Sequence, residues 1–306
     1  TPSAGRYGKG SHIRNLLGGI RDDEKVISIL PMERSLIENP EGHFLMFATA
    51  NGRIKKSKLS EYARINRNGK FALKFADGDS DNLVSVRPAT DADHVVLVSA
   101  SGNACRFMPA EEKTRISPDT GESVTTYVVR VQGRISQGVS GMKLSGNDKV
   151  IGMIVTDDFD TSVLTISKYG MAKRSRLGSG EMLPLTEGGT PIVDESGDQV
   201  FERDGYRKTN RGTKGVRTMS LRDGDEIVGV RQIPDLDDQL FMLTGSGMMI
   251  RMVSGQTKET LGKVTKGTRI MELRNRDRTG YEDEIVFVAR LPSELISTGE
   301  TLEEEE

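Results

Sequence analysis

Basic residues recur at a fixed place in this sequence, each four positions after a glycine in a short polar turn. They are Lys56, Arg106, Arg174 and Arg251, and in two cases the preceding residue is also basic, Lys55 and Lys173. A single lysine or arginine at such a place would simply solvate a strand end. Recurrence in every repeat favours a row of cations, which could bind nucleic-acid phosphates without reading bases.

Further cations lie beside a second recurring motif, a glycine box in which apolar residues follow the glycine at the fourth and sixth positions. The sequence predicts a basic rim in which the residues that contact DNA are Arg6, Lys9, Arg53, Lys55, Lys56, Arg67, Lys70, Arg106, Lys173, Arg174, Arg211, Lys214, Arg217, Arg251, Lys266 and Arg269.

The turn glycines indicate the elements that must position these cations. Gly52, Gly102, Gly170 and Gly247 each separate two apolar segments, as in "FLMFATANGRIKK" and "VVLVSASGNACRF". Glycine supplies the positive φ that a tight turn between two strands requires. The pattern therefore predicts four β-hairpins, each with a basic residue in its second strand.

The glycine boxes predict further strands, because residues two apart lie on one face of a strand. The boxes fall near 5–17, 66–75, 136–144, 213–221 and 265–273, and an acidic turn with another apolar strand follows each. In the box near 136–144 the apolar residues are Met142 and Leu144. Repeated four-stranded units predict an all-β, propeller-like array with at least four complete blades.

Extra length is confined mainly to two Gly- and Pro-rich stretches at about 111–134 and 178–208, which are predicted to be surface insertions on a constant scaffold. We expect one domain over residues 1–292 and an acidic, disordered tail over 293–306. The chain starts without methionine or the apolar core of a signal peptide, which suggests an internal fragment.

Composition limits the function. The net charge is −2, tryptophan is absent and aromatic residues make up 5% of the chain, which argues against stacking platforms for single-stranded nucleic acid. Cys105, the single cysteine, is predicted to be a packed strand residue in a protein of a reducing compartment. Neither a catalytic residue nor a metal site is predicted, and acidic stretches such as "GDSD" and "GNDK" indicate turns before strands.

The hairpin-plus-box unit resembles the C-terminal β-pinwheel domain of the DNA gyrase A protein and, secondarily, that of topoisomerase IV. The segments that carry the resemblance are "MFATANGRIKKSKLSEYARINRNGKFALKFADGD", "SGNACRFMPAEE", "YGMAKRS", "TKGVRTMSL" and "SGMMIRM". The gyrase box Q-R-R-G-G-K-G is matched in "AGRYGKG" at Arg6, Gly8, Lys9 and Gly10 only. This stretch is either a diverged box or the weaker box of a second blade, and the second interpretation is preferred.

This resemblance implies a non-catalytic domain of a bacterial, cytoplasmic type IIA topoisomerase, with five or six blades when intact, that wraps duplex DNA. It implies the rest of the gyrase A protein and the gyrase B protein as partners, no cofactor in this chain, and ATP with Mg in the holoenzyme, whose catalytic Tyr and ATPase site lie elsewhere. A topoisomerase IV domain remains the first alternative. A protein-interaction β-propeller remains the second.

Overall fold

Antiparallel β-hairpins with glycine at the turn form the framework of the protein. The computed structural model describes residues 24–64, 69–75, 80–116, 121–260, 265–275 and 279–295, together with residues 15 and 277. The box near 5–17 and the candidates Arg6, Lys9 and Arg67 therefore lie outside the described residues. Within them, helix is limited to short segments such as α1 (Arg34–Glu38), and no helix is long and apolar enough to cross a membrane.

All four predicted hairpins are present. They are β1 (Phe44–Thr49) with β2 (Arg53–Lys58), β4 (His94–Ser99) with β5 (Asn103–Phe107), β10 (Ser162–Ser167) with β11 (Met171–Arg176), and β18 (Gln239–Thr244) with β19 (Met249–Val253). Val, Leu, Ile and Phe form at least half of the first strand of each hairpin. The first strand of each of the first three hairpins is buried along its whole length.

A third strand pairs with the first strand of each hairpin. These strands are β3 (Leu83–Ala89), β9 (Val150–Thr156), β17 (Ile227–Ile233) and β21 (Ile285–Leu291). Each comes from the apolar segment after the acidic turn, and β3, β9, β17 and β21 contact one another in succession. They are therefore the inner strands of four consecutive blades.

The outermost strand of a blade is supplied by a later repeat. The box strands β8 (Val139–Ser140), β16 (Val216–Arg217) and β20 (Thr268–Arg269) pair with β2, β5 and β11 respectively. Each of these hairpins thus does not pair with the box that directly follows it in the sequence. It pairs with the box that follows the next hairpin. The resulting sheet orders are β3-β1-β2-β8, β9-β4-β5-β16 and β17-β10-β11-β20.

The fourth blade differs from the first three. Its sheet has the order β21-β18-β19, so in the part of the chain that the structure describes it has three strands and an unpaired edge at β19. The all-β, bladed architecture is confirmed. The sequence predicts at least four complete blades, whereas among the described residues three blades are complete and the fourth has three strands.

The first apolar segment after a box does not form the predicted strand. Residues 24–33 are irregular, with Val26, Ile27 and Ile29 exposed, and the described part of the box at 66–75 is also irregular, with Phe71 82% exposed. Inner and outer strands form by pairing with hairpins that precede them in the sequence. Among the described residues no hairpin precedes the segment at 24–33, and the segment is unpaired there.

Both predicted insertions carry short strands of their own. The first contains the hairpin β6 (Glu112–Ile116) and β7 (Ser123–Tyr127). The second contains β12 (Met182–Pro184), β13 (Thr186–Glu187), β14 (Thr190–Pro191) and β15 (Phe201–Arg203). Exposed apolar side chains on the second include Met182 and Phe201.

The core lies between blades rather than within one. Met46 of the first blade packs with Leu97 and Met153 of the second, and the box residue Met142 joins the same cluster. Cys105 is buried there, as the sequence predicts. Burying such side chains contributes about 1.5–3 kcal/mol each, so neighbouring blades stabilise one another.

Acidic residues fix the hairpin turns. A carboxylate accepts a hydrogen bond from the backbone N–H of the residue before each turn glycine, and the four carboxylates belong to Asp81, Asp148, Asp225 and Asp283. Each also accepts from the N–H of its own following residue. The prediction of a turn is confirmed for "GNDK", where Gly146 and Asn147 form the turn before β9, whereas Gly78 and Asp79 of "GDSD" lie outside the described residues.

Candidate nucleic-acid interface

The cations of the first hairpin are buried and engaged. Lys55 is fully buried, its Nζ donates to the carbonyl oxygens of Ala72 at 2.7 Å and Arg134 at 2.5 Å, and burial lowers its pKa to about 8. Lys56 forms an ion pair with Asp91, and its Nζ lies 3.9 Å from the centroid of the Phe44 ring. Neither amine is available to a phosphate.

Arg106 of the second hairpin has a comparable position. It is 1% exposed, and its Nη1 donates to the carbonyl oxygens of Leu177 and Tyr206, both at 2.9 Å. Its Nε lies 3.4 Å from Nδ1 of His94. Burial lowers the pKa of Arg106 to about 10, and burial together with the nearby guanidinium lowers the pKa of His94 to about 4. The arginine therefore connects the second blade to the segment that follows the third hairpin.

The third hairpin repeats the arrangement. Lys173 donates from Nζ to the carbonyl oxygen of Thr218 at 2.6 Å, and burial lowers its pKa to about 8. Arg174 donates from Nε to the carbonyl oxygen of Thr257 at 3.0 Å, and its Nη1 lies 2.7 Å from Oε2 of Glu259. Lys173 thus contacts the box segment that closes the second blade, and Arg174 contacts the segment that follows the fourth hairpin.

The prediction of an exposed rim is consequently wrong for five residues. These are Lys55, Lys56, Arg106, Lys173 and Arg174, each no more than 8% exposed. Their charged groups satisfy carbonyls and carboxylates of neighbouring blades, and a phosphate could reach them only if those contacts broke. The recurrence that the sequence shows reflects a recurring structural contact.

Three other candidates are half-buried and bind backbone carbonyls. Arg53 donates to Gln137 and Gly138, both at 2.9 Å, and so holds the box strand β8 against β2. Arg211 donates to Val128 at 2.8 Å and also to Ser140. Lys70 donates to Glu61 at 3.1 Å. These side chains hold backbone segments at the edge of the blades in place, and they are less exposed to solvent than the sequence predicts.

The remaining described candidates are exposed, and four of them lie on or beside the outermost strands. Lys214 and Arg217 flank one box glycine, and Lys266 and Arg269 occupy the same places in the next box. Among the described residues, the side chains of Lys214, Arg217 and Lys266 make neither a hydrogen bond nor an ion pair. Arg269 pairs with Glu272 at 2.5 Å on the surface, where such a pair contributes little. We call these four residues the perimeter cations.

The perimeter charge is unevenly distributed. In the box near 136–144 the equivalent places hold Gln137 and Ser140, so the positive charge concentrates on β16 and β20. Arg251, the last turn-related candidate, is exposed and donates to the Gln239 side chain at 2.9 Å. Exposed cations that repeat from one blade to the next can hold a polyanion without base contacts.

The predicted set of DNA-contacting residues omits two arginines of the second insertion. Arg203 and Arg207 line a cleft next to Arg217, between the second and third blades. They lie outside the periodic motifs, so the spacing argument could not find them. The signal available was local: residues 181–202 contain six acidic and no basic residues, and the basic residues begin at Arg203.

Taken together, the blades define a propeller-like all-β domain, assembled by strand exchange between repeats, with cations on its outer strands. The family model described as "DNA gyrase C-terminal domain, beta-propeller" matches residues 2–31, 43–90, 123–157, 200–234 and 238–279. More than half of the sequence is matched, and the chain belongs to this family. The recognition made from the hairpin and box motifs is confirmed.

Sequence relatives agree with this assignment. The DNA gyrase A protein of Deinococcus deserti is 30% identical over 281 residues, and that of Escherichia coli is 29% identical over 291 residues. The alignments cover 90% and 95% of this chain but 28% and 26% of those proteins. With the gyrase A protein of Rickettsia prowazekii, 29% identical, the share is 30% of the relative. The chain thus spans less than a third of these relatives.

Solved structures confirm the fold. The C-terminal domain of DNA topoisomerase IV superposes with a TM-score of 0.68 at 18% identity, covering 97% of this chain and 76% of that one. The C-terminal domain of DNA gyrase A gives a TM-score of 0.59 at 19% identity, covering 93% of this chain and 76% of that one.

Proposed function

We propose that this chain binds duplex DNA without sequence preference and bends it around its perimeter, as a non-catalytic domain of a DNA gyrase. The observation that carries the proposal is the pair of exposed cations repeated on two successive outer strands, Lys214 with Arg217 and Lys266 with Arg269. Their equivalent places in the repeat present them at successive points along one curved edge.

The chemistry of these cations suits a phosphate backbone. Duplex DNA carries one charge per roughly 1.7 Å of axis, and each lysine or arginine that neutralises a phosphate releases a counterion. Deformation of the duplex is compensated by contacts with successive blades, as in other proteins that wrap DNA without base contacts. In the proposed holoenzyme, the wrapped segment presents a crossover to the rest of the gyrase A protein. Together with the gyrase B protein, that assembly would use ATP for negative supercoiling.

Binding of a duplex of about 150 base pairs across a salt series tests the proposal. We expect affinity to fall steeply with salt. Replacing the four perimeter cations with Gln (K214Q, R217Q, K266Q and R269Q) should reduce the slope of log affinity against log salt by about 3 to 4. A matched control replaces the exposed Lys25, Lys58, Lys149 and Lys258 with Gln, which removes equal charge from places off the outer strands.

The control distinguishes binding at the perimeter cations from attraction of DNA to positive charge anywhere on the surface. If both quadruple variants lose the same affinity, the perimeter is not the binding surface. If the wild-type chain binds no duplex, or binds it with an affinity that hardly depends on salt, the proposed DNA interface is wrong. The protein-interaction alternative then takes its place.

Topology distinguishes wrapping from simple binding. Circular DNA relaxed by a nicking-closing enzyme in the presence of the chain should change its linking number, because wrapped DNA constrains a writhe. The sign of the change separates gyrase-like wrapping from the behaviour of a topoisomerase IV domain. Gyrase is preferred because the sequence relatives described above are gyrase proteins.

A further inference from the structure

The cleft between the second and third blades combines a buried lysine with four arginines. It is lined by Lys173 and Arg176 of β11, Arg217 of β16, and Arg203 and Arg207 at the end of the second insertion. The cavity measures about 40 Å³, which has room for about three water molecules or for the outer oxygens of one phosphodiester. Neutral polar groups of Ser175, Thr218 and Thr260 complete its wall.

The five cations occupy different depths. Lys173 is 2% exposed and lies beneath the outer strand, where its Nζ donates to the carbonyl oxygen of Thr218. Arg207 and Arg217 are exposed, and within the described residues their side chains have no carboxylate or carbonyl partner. The cleft therefore has a fixed base and two adjustable guanidinium groups at its opening.

Carboxylates balance only part of this charge. Arg176 pairs with Asp160 at 2.7 Å and lies 3.8 Å from Asp204, while Arg203 donates to the carbonyl oxygen of Gly180 at 2.7 Å. These contacts hold Arg176 and Arg203 in place. They leave the guanidinium groups of Arg207 and Arg217 for a ligand, and guanidinium groups bind phosphate oxygens through paired N–H donors.

The insertion supplies part of the site. The family model does not match residues 158–199 and resumes at 200, just before Arg203. The acidic body of the insertion, residues 181–202, carries six carboxylates and no cation, so it repels a polyanion. Its basic end, by contrast, reaches the opening of the cleft beside the perimeter cation Arg217.

We propose that this cleft binds one phosphate group, and that the phosphate is a backbone phosphodiester of the duplex held on the perimeter. The inference rests on the proposed DNA binding and adds to it a fixed anchoring point at the boundary between two blades. The acidic body of the insertion would then direct the duplex to one side of this point.

The test compares three double variants with equal loss of charge. R207Q/R217Q removes the two cations at the opening of the cleft, K266Q/R269Q removes two perimeter cations that do not line it, and K58Q/K149Q is the exposed control. Thermal unfolding with inorganic phosphate against chloride at equal ionic strength measures anion binding, and duplex affinity in a salt series measures DNA binding. These residues are exposed, so the variants should fold.

We expect phosphate to raise the unfolding midpoint of all proteins except R207Q/R217Q, because a ligand that binds the folded state stabilises it. Duplex affinity of R207Q/R217Q should fall about tenfold below that of K58Q/K149Q and below that of K266Q/R269Q.

Other outcomes separate the two proposals. If the wild-type chain binds duplex but R207Q/R217Q behaves like K266Q/R269Q in both measurements, the cleft is not a phosphate site, while the perimeter interface stands. If phosphate stabilises the chain through the cleft but no duplex binds, the assignment to DNA is overturned and the anion is a free phosphate.

Discussion

The first three blades and the fourth blade share one local sequence pattern but place its cation differently. In each, a basic residue lies four positions after the turn glycine. Lys56, Arg106 and Arg174 are buried, whereas Arg251 is exposed, donates to Gln239 and lies over the ring of Phe241. The difference follows from the strand and segments that a later repeat supplies to the first three blades.

The turn glycines show the same contrast. A Cβ at Gly52, Gly102 or Gly170 would lie 2.5–2.8 Å from a backbone carbonyl oxygen of the box strand segment that closes the blade. At Gly247 of the fourth blade nothing lies within 4 Å. Burial and close approach are therefore properties of neighbouring repeats, and the local sequence only permits them.

The largest expected effect on stability comes from adding a methyl group where a turn glycine lies against the box segment. Gly170→Ala places a methyl group 2.5 Å from the carbonyl oxygen of Met271, at a φ of 79° that disfavours alanine. We expect a loss of about 3 kcal/mol or more in the free energy of unfolding. Gly247→Ala has only the positive φ to accommodate and should cost about 1 kcal/mol. Urea denaturation measures both, and equal losses would show that the box strand does not constrain the turn.

Removing the buried cation is the second test. Arg106→Ala leaves a cavity and deprives the Tyr206 and Leu177 carbonyls of a charged donor, so we expect about 3 kcal/mol of destabilisation. Arg251→Ala, on the exposed surface, should change stability by less than about 0.5 kcal/mol. A small effect of both substitutions would mean that the buried cations do not stabilise the contact between blades.

The sequence predicts the features that neighbouring residues determine, and it does not predict the pairing of strands from different repeats. Four hairpins, their turn glycines and the acidic turns follow from short-range patterns, and each is present. Burial of Lys55, Arg106 and Lys173 could not be predicted, because it depends on pairing between a hairpin and a box about 85–114 residues later. A charge that recurs in every repeat is equally compatible with a surface row and with a recurring internal contact.

Alkaline stability gives a third, smaller test. The folded pKa of Lys173 is about 8, against 10.5 unfolded, so between these values the unfolded chain binds more protons. Stability should therefore rise with pH from about 8 to about 10, with Lys55 contributing in the same direction. Each lysine should contribute about 1 to 2 kcal/mol over this range.

The matched variant is Lys173→Met, which should remove the contribution of Lys173 to the increase in stability with pH. The fourth blade has Ile250 at the equivalent place and should contribute nothing. Measurements stop near pH 10, because burial raises the pKa of Tyr206 to about 12 and produces an opposing trend above that point. Denaturation at pH 7.5 and 9.5 gives the slope, and an unchanged slope in Lys173→Met would show that the amine is not buried in solution.

The smallest expected difference concerns the aspartate that accepts a hydrogen bond from the turn backbone in each of the four hairpins. Asp148 binds the N–H and Oγ of Ser101 at 2.9 and 2.7 Å, and Asp283 binds the same groups of Ser246. Hydrogen bonds from Ser246 lead the causes that lower the pKa of Asp283 to about 2, so its contribution is lost as pH falls from about 4 towards 2. Asp148→Ala and Asp283→Ala should lower the urea midpoint slightly and equally at neutral pH, because this contact lies within one repeat. A markedly larger loss for Asp148→Ala would mean that even the turn depends on the strand supplied by the next repeat.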